Sequence, residues 1–328
     1  MRVALFGLGH MGRHHARHLR ARGDVELVII DPALGHPEGG VGEGGAGRFD
    51  AAVIATPTDT HEAVAATLLA AGVPCLVEKP LAPTVAAATR LAASPQVMVG
   101  HIERFNPAFA PVASSDARFV QAERLAAWGR RGVIPPSPNP TSGPASGDIA
   151  SGLASASSTS ASSASASSTS AAVAPAPPPV DVILDLMVHD LDLFLLLAGE
   201  DPVVEVRANG LSVVTGQIDI AQARVQTAAG RVGTFTASRV SRAPSRRFRV
   251  FTPGEYWSLD LGAKVAARVR WGEDGLQEEL VPVAGHDALA AQLAAFLAFA
   301  RGEAPNPVPG AAGLAALDLA LRVRDAIG

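Results

Sequence analysis

One lysine stands out in a chain that otherwise uses arginine. Among the 27 basic residues only Lys79 and Lys264 are lysines, and Lys79 follows a short apolar run within Glu78-Lys79-Pro80. Arginine is permanently charged, whereas burial or a neighbouring charge can move the pKa of a lysine amine toward neutrality. Lys79 is therefore a candidate for proton transfer or charge stabilisation, although one lysine of two could fall there by chance.

A carboxylate and an imidazole share one face of a predicted helix spanning Val182 to Ala198. Asp185 and His189 are four residues apart, so their side chains project from the same side. An imidazole titrates near neutral pH and can serve as a general base. The rest of the helix is largely apolar and must be buried, so polar groups within it need partners. A polar stripe that faces solvent is the alternative.

The other acidic residues of this helix carry different expectations. For Asp181 and Asp192 we favour the solvent-facing stripe. Asp190 lies off the stripe of Asp185 and His189, and we expect a structural role for it.

A glycine string near the N-terminus has the pattern of a dinucleotide-binding loop. It follows a predicted strand at 2–6 and precedes a predicted helix at 13–22. The first glycine permits a tight turn, the second lets the backbone approach a pyrophosphate, and the third allows close packing of helix on strand. A second predicted strand, at 25–30, ends at Asp31, which is placed to bind a ribose 2′-hydroxyl and would repel a 2′-phosphate. NAD is therefore favoured over NADP. The candidate cofactor contacts here are Gly7, Gly9, His10, Met11, Gly12 and Asp31.

Two further segments border the same predicted crevice. One follows the third predicted strand and the other follows the fourth, and in open α/β sheets ligands lie beyond the carboxyl ends of the strands. This places Lys79 toward the nicotinamide end of the cofactor. The candidate contacts in these segments are Thr56, Pro57, His61, Glu78 and Lys79.

Strands and helices alternate through the first third of the chain. This alternation predicts a doubly wound parallel sheet, and hence an α/β dinucleotide-binding domain at 1–115. The glycine-rich stretch after Asp31 predicts a loop in place of a full crossover helix. From 116 to 285 one long helix and many strands predict an α+β substrate domain with a mainly antiparallel sheet. Two helices at 286–328 are expected to pack back on the body.

Composition narrows the class of protein. A length of 328 residues fits two domains, and a net charge of -4 gives no reason to expect nucleic acid or an acidic membrane as partner. The single cysteine, Cys75, and the absence of a signal peptide or membrane-length apolar run lead us to expect a cytoplasmic protein. No metal site is expected, because the N-terminal histidines lack accompanying carboxylates or cysteines. The Ser/Ala-rich stretch at 135–179 is predicted to be a disordered insertion.

Together these motifs resemble the Gfo/Idh/MocA oxidoreductases. The resemblance implies an N-terminal Rossmann domain, a C-terminal open-faced β-sheet often used for oligomerisation, and nicotinamide-dependent hydride transfer on sugars or cyclitols. The short segment after Asp31 and the insertion depart from the family pattern. The motifs that carry the resemblance are Gly7 to Gly12, Thr56-Pro57-Thr58 with His61, Gly72 to Leu81, and Asp185-x-x-x-His189.

Three further stretches are similar to family members that act on UDP-N-acetylglucosamine derivatives, including the 3-dehydrogenases. They are Gly100 to Pro107, Ala237 to Ser241, and Arg249 to Phe251. A UDP-sugar needs contacts for its diphosphate, and Arg104 and Asn106 are the first candidates. Five further arginines form a second pool of candidates, of which only one or two should touch substrate. Arg239 is the first choice among them, and the others are Arg242, Arg246, Arg247 and Arg249.

The resemblance also assigns catalytic roles. His189 would accept the proton of the substrate hydroxyl, and Asp185 would orient its ring or hold a neighbouring hydroxyl. Protonated Lys79 would stabilise the developing alkoxide, and the products would be a keto sugar and NADH. A homodimer or homotetramer would form through the C-terminal sheet.

Two alternatives stay open at this point. The substrate could be a free sugar, inositol or another cyclic polyol. The protein could instead be a non-catalytic NAD-binding regulator, although such a protein would not need the set formed by Lys79, Asp185 and His189.

Overall fold

The computed structural model describes residues 1–31, 49–127, 180–273 and 275–328, and its strands form two separate sheets. The first sheet has the order β2-β1-β3-β4-β5 with every neighbouring pair parallel. The predicted doubly wound parallel sheet is therefore confirmed. Its strands are β1 (Arg2–Phe6), β2 (Glu26–Ile30), β3 (Ala51–Ile54), β4 (Cys75–Glu78) and β5 (Val97–Gly100).

Three strands of this sheet, β3 to β5, are apolar except for Glu78 at the end of β4, because helices cover both faces of the sheet. Every residue of β3, β4 and β5 is buried, which is the usual pattern of a parallel sheet. Within the described residues, three helices follow strands of this sheet. They are α1 (His10–Arg20), α2 (His61–Ala70) and α3 (Val85–Ala92).

In the described part of the chain, the second sheet has eight strands in the order β13-β12-β11-β10-β6-β9-β8-β7. Only β6 and β9 run parallel, and the remaining pairs are antiparallel, as the α+β pattern predicts. The strands are β6 (Phe119–Ala127), β7 (Val203–Leu211), β8 (Ile220–Thr227), β9 (Val232–Ser241), β10 (Ser245–Thr252), β11 (Glu255–Asp260), β12 (Val265–Gly272) and β13 (Gly275–Val281).

The two faces of the second sheet differ in character because successive side chains alternate between them. On β10, Phe248 and Val250 are fully buried on the inner face. Arg247 and Arg249 point the other way and line a shallow polar groove. The sheet thus packs on its helix with one face and leaves the other open.

The helix on the inner face does not begin as an ordinary α-helix. Its first residues, Ile183–Met187, form a π-helical turn, which leads into α4 (Val188–Ala198). The helix predicted from Val182 is therefore correct in position, but its first turn is π-helical and not α-helical. Isolated π-helical turns inside helices occur often at functional sites.

The last two helices contact both halves of the molecule. Helix α5 (Ala288–Ala300) packs against α1, and α6 (Gly310–Asp325) packs against α3 and α4. Just before α6, the carbonyl of Val308 accepts a hydrogen bond from the amide of Val99 in β5, at 2.9 Å. The C-terminal segment is therefore built into the half of the molecule that contains the parallel sheet.

Two sequence predictions lie outside the described residues. They are the loop in the glycine-rich stretch at 32–48 and the disordered insertion at 135–179. No helix within the described parts of the chain is long and apolar enough to cross a lipid bilayer.

Candidate active site

The glycine string forms a turn in which two glycines are required by packing. Gly7 has a φ of +86°, and a Cβ there would lie 2.7 Å from the carbonyl oxygen of Ala55. A Cβ on Gly12 would lie 2.0 Å from the carbonyl oxygen of Gly7. Both positions therefore exclude larger residues.

Gly9 differs, because a Cβ there would meet no atom within 4 Å. The residue is exposed at the N-terminus of α1, where amide donors and the positive end of the helix dipole favour an anion. Open space at this glycine and tight packing at the other two fit a backbone that receives a pyrophosphate. The loop therefore suits the dinucleotide that its sequence predicts.

Asp31 lies beside this loop. Its Oδ2 accepts a hydrogen bond of 2.6 Å from the backbone amide of Leu8. The contact joins the end of β2 to the glycine turn, so the carboxylate borders the site where the sequence places the cofactor.

His61 connects the loops that follow β3 and β4. Its ring nitrogens lie 3.2 Å from the carbonyl oxygen of Leu81 and 3.0 Å from that of Thr56. The ring is buried, and burial lowers its pKa, so it is neutral near pH 7. His61 thus braces the loop after β3, in which Thr56 is half-buried and Pro57 is exposed.

Glu78 turns its carboxylate toward α1. Its Oε1 lies 2.7 Å from Nε2 of His15, and both side chains are buried. Burial acts to raise the pKa of Glu78, but the hydrogen bond from His15 and the charges of His15 and Lys79 outweigh it, and the pKa is lowered. A Cβ at position 100 would come within 3.0 Å of this carboxylate, which explains Gly100 beside it on β5.

The side chain of Lys79, which follows β4 of the first sheet, contacts the helix that packs on the second sheet. Its Nζ donates a 2.6 Å hydrogen bond to the backbone carbonyl of Asp185 and lies 3.5 Å from Asp185 Oδ1. The accepting carbonyl belongs to the π-helical turn, and the Lys79-Pro80 peptide is cis. Two residues that are 106 positions apart in sequence thus meet at the carboxyl edge of the parallel sheet.

His189 begins the next turn of the same helix. Its Nδ1 is buried and has no hydrogen-bond partner among the described residues, so Asp185 does not orient the ring through that nitrogen. Desolvation, followed by the positive charges of Lys79 and Arg124, holds the pKa of His189 well below its ordinary value. The imidazole is therefore neutral near pH 7, as a general base must be.

A buried ion cluster lies beside His189. Arg124 of β6 donates through Nε and Nη2 to the two carboxylate oxygens of Asp190, at 3.0 and 2.7 Å, and through Nη1 to Glu103 at 2.7 Å. Burial opposes the charge of Arg124, but the two carboxylates outweigh it and raise its pKa. Asp190 therefore has the structural role expected from its position on the helix.

The prediction that Asp181 and Asp192 face solvent is wrong. Asp192 is 1% exposed because Arg104 reaches it from the segment after β5 and donates two hydrogen bonds, of 2.9 and 2.7 Å. Asp181 is also buried, and its Oδ1 accepts hydrogen bonds from the first amides of the helix, Ile183 and Leu184. Both carboxylates hold the helix in place.

The three candidate substrate contacts all have partners inside the protein. Arg104 binds Asp192 as described. Asn106 donates to Glu103 and to the carbonyl of Leu261, and its Oδ1 accepts from the amide of Ala108, so its hydrogen-bonding groups are used. Arg239 donates to the carbonyl of Val180 and lies 3.8 Å from a carboxylate oxygen of Asp219.

Sequence reasoning missed Arg124, although a signal was present. Arg124 shares the inward register of β6 with Val120 and Ala122, so it is a charged residue in an apolar row. Such a residue needs a buried counter-ion.

The described residues contain no group of three side chains able to hold a metal ion.

Comparisons with known proteins give matches in both halves of the chain. A model of an oxidoreductase family with an NAD-binding Rossmann fold matches residues 45–97, and the GFO/IDH/MocA C-terminal domain model matches residues 153–253. The whole chain is 32% identical to the UDP-N-acetylglucosamine 3-dehydrogenase of Acidithiobacillus ferrooxidans, and the match spans 97% of that protein. A solved structure of that enzyme matches with a TM-score of 0.77 and 30% identity, over 100% of this chain and 97% of the other.

A more distant relative acts on a different substrate class. It is the inositol 2-dehydrogenase of Rhizobium meliloti, 26% identical over 73% of this chain and 69% of the relative.

Proposed function

Because the chain belongs to the Gfo/Idh/MocA family of NAD(P)-binding oxidoreductases, we propose that it oxidises the 3-hydroxyl of a UDP-N-acetylglucosamine-type sugar to a ketone. The family prediction made from the sequence motifs is confirmed. The observation that carries the proposal is the contact of Lys79 with Asp185, with His189 on the next turn, at the edge that also holds the glycine loop. The full-length similarity to a UDP-N-acetylglucosamine 3-dehydrogenase supports this substrate.

The residues divide the proton chemistry between them. When bound, the nicotinamide supplies the acceptor for the hydride. His189 takes the hydroxyl proton, since its lowered pKa keeps it neutral. Lys79 carries three N–H donors, so it can bind Asp185 and the reacting oxygen together and stabilise developing negative charge. The Asp185 carboxylate, 3.5 Å from the ammonium, compensates its charge and can accept a hydrogen bond from a neighbouring sugar hydroxyl.

We propose NAD as the specific cofactor. Gly7, Gly9 and Gly12 would receive the pyrophosphate at the start of α1, and Asp31 would bind the ribose hydroxyls. A carboxylate at this position repels the 2′-phosphate of NADP.

We also propose a homodimer or homotetramer formed through the open face of the second sheet. The strand register places three highly exposed apolar side chains on that face, Trp271, Leu276 and Leu280. Exposed apolar patches of this kind mark association surfaces. A cytoplasmic location is supported by the single cysteine, Cys75, which is buried and unpaired.

Turnover assays test the proposal. The protein is incubated with NAD or NADP and with UDP-N-acetylglucosamine, UDP-glucose, N-acetylglucosamine or myo-inositol, and the absorbance of the reduced cofactor is followed. We expect Lys79→Met and His189→Ala to lose about 10²- to 10⁴-fold in kcat while they still bind NADH. Lys264→Met removes the other lysine, which contacts the carbonyl of His286, and serves as the matched control.

Three outcomes would contradict the proposal in different ways. Turnover of free polyols without turnover of UDP-sugars would favour a polyol dehydrogenase. NADH binding without turnover of any substrate would favour a regulatory protein. Full activity of the His189→Ala variant would remove His189 from the proton transfer.

A further inference from the structure

The arginines near β9 and β10 of the second sheet lie on different faces of the sheet. Arg239 is buried against Val180 and Asp219. Arg247 and Arg249 line the groove on the open face. The exposed Arg242 belongs to the turn between β9 and β10, which leaves Arg246.

Arg246 lies on the inner face, beside the catalytic helix. It pairs with Arg124 in the antiparallel register of β10 and β6, and side chains of directly opposed residues share one face. Arg124 is bonded to Asp190, the residue that follows His189. Arg246 is therefore one strand away from the anchor of the general base.

The side chain of Arg246 is only loosely held. Its Nη1 lies 3.6 Å from Oε1 of Glu103, beyond hydrogen-bond distance, and the side chain is 55% exposed. Glu103 already accepts hydrogen bonds of 2.7 Å from Arg124 and 2.8 Å from Asn106. Within the described residues, this distant contact is the single ion pair of Arg246, so its guanidinium retains donors for an incoming anion.

The charge of Arg246 reaches the reaction centre. It contributes, after desolvation and the charges of Lys79, Arg124 and His101, to the lowered pKa of His189. Arg246 is thus close enough to His189 to act on it electrostatically and exposed enough to meet a ligand.

We propose that Arg246 binds the diphosphate of the nucleotide-sugar substrate and thereby selects nucleotide sugars over free sugars; this rests on the proposed function. In such a substrate the diphosphate is attached to the sugar ring that carries the reacting hydroxyl. The anion must therefore lie near His189 but outside the proton-transfer groups. A guanidinium fork matches phosphate oxygens, and the other candidates, Arg104 and Arg239, are held in buried contacts.

The test compares two neighbouring arginines that lie on opposite faces of the sheet. Arg246→Ala should raise both the Kd for UDP and the KM for UDP-N-acetylglucosamine by about 10- to 100-fold, the range of a lost charge-assisted hydrogen bond. Arg246→Lys should fall between this variant and the wild type, because it keeps the charge without the fork. Arg247→Ala, on the open face away from His189, should keep the wild-type Kd for UDP.

UDP binding is measured by calorimetry, NADH binding by fluorescence, and oligomeric state by sedimentation for every variant. NADH binding should not change in any of them, which verifies a folded nucleotide-binding half. If wild type binds UDP and Arg246→Ala binds it equally well, the inference about Arg246 is refuted and the proposed function stands. If wild type does not bind UDP, the nucleotide-sugar assignment itself fails, together with the inference.

Discussion

Replacing Arg124 by leucine would test the ion cluster that anchors the helix carrying Asp185 and His189. The change removes three charge-assisted hydrogen bonds and leaves two buried carboxylates. Glu103 keeps its hydrogen bond from Asn106, whereas Asp190 has no other ion pair among the described residues. Removing one partner of a buried ion pair costs about 3–5 kcal/mol of unfolding free energy, and we expect Arg124→Leu to fall in this range.

The assay is urea unfolding followed by circular dichroism at about pH 7 and about pH 5. Burial raises the pKa of Asp190 even with Arg124 in place, and loss of the cation raises it further. A carboxyl group whose folded-state pKa is raised favours folding as it becomes protonated. The deficit of Arg124→Leu should therefore shrink as the pH falls.

Two comparisons make this reasoning refutable. Arg124→Leu combined with Asp190→Leu should recover part of the lost stability, since apolar residues often replace a buried ion pair at little cost. Arg90→Leu, at a site whose side chain is 63% exposed beside Glu62, should leave the unfolding midpoint nearly unchanged. A double variant no more stable than Arg124→Leu, or an Arg124→Leu midpoint equal to that of wild type, would refute it.

Two other predictions concern cofactor binding and acid dependence. Gly12→Ala should lower the thermal unfolding midpoint and abolish NADH binding, because the added Cβ has no room. Gly9→Ala should keep the midpoint and weaken only NADH binding. An unchanged NADH fluorescence titration of Gly9→Ala would argue against a pyrophosphate at Gly9. Because the pKa of His189 is lowered, kcat/KM should persist below the ordinary imidazole range and fall only as pH drops through the lowered value. A decline centred at or above the ordinary value would show that His189 is not the base.

Local patterns in the sequence predict much of the fold. The strands of the first sheet are short apolar runs, and the glycine turn has the spacing that its packing requires at Gly7 and Gly12. The position of Lys79 could be predicted because it follows a parallel strand, and ligands lie beyond the carboxyl ends of such strands. The position of His189 could be predicted because it is four residues after Asp185 on one face of a helix. These features depend on neighbours close in sequence.

The errors arose where a distant partner decides the environment of a residue. The sequence around Asp192 predicts a solvent-facing carboxylate. In the folded protein Asp192 is buried, because Arg104, which is 88 residues earlier, binds it. The same pairing occupies the guanidinium of Arg104, whose role as a substrate contact stays a prediction. The π-helical turn likewise has no local signal, and its carbonyl contact with Lys79 exists only in the folded molecule.

The return of the C-terminal segment to the first sheet has a consequence for biosynthesis. Strand β5 is the edge of that sheet, and its partner beyond the edge is the backbone at Val308, followed by α6 packed on α3. The first domain is thus completed by residues that leave the ribosome well after it. Until then the nascent chain carries an open strand edge, a template for wrong pairing that folding intermediates commonly present. Chaperone dependence during synthesis should therefore be concentrated on the nucleotide-binding half and should end when α6 docks.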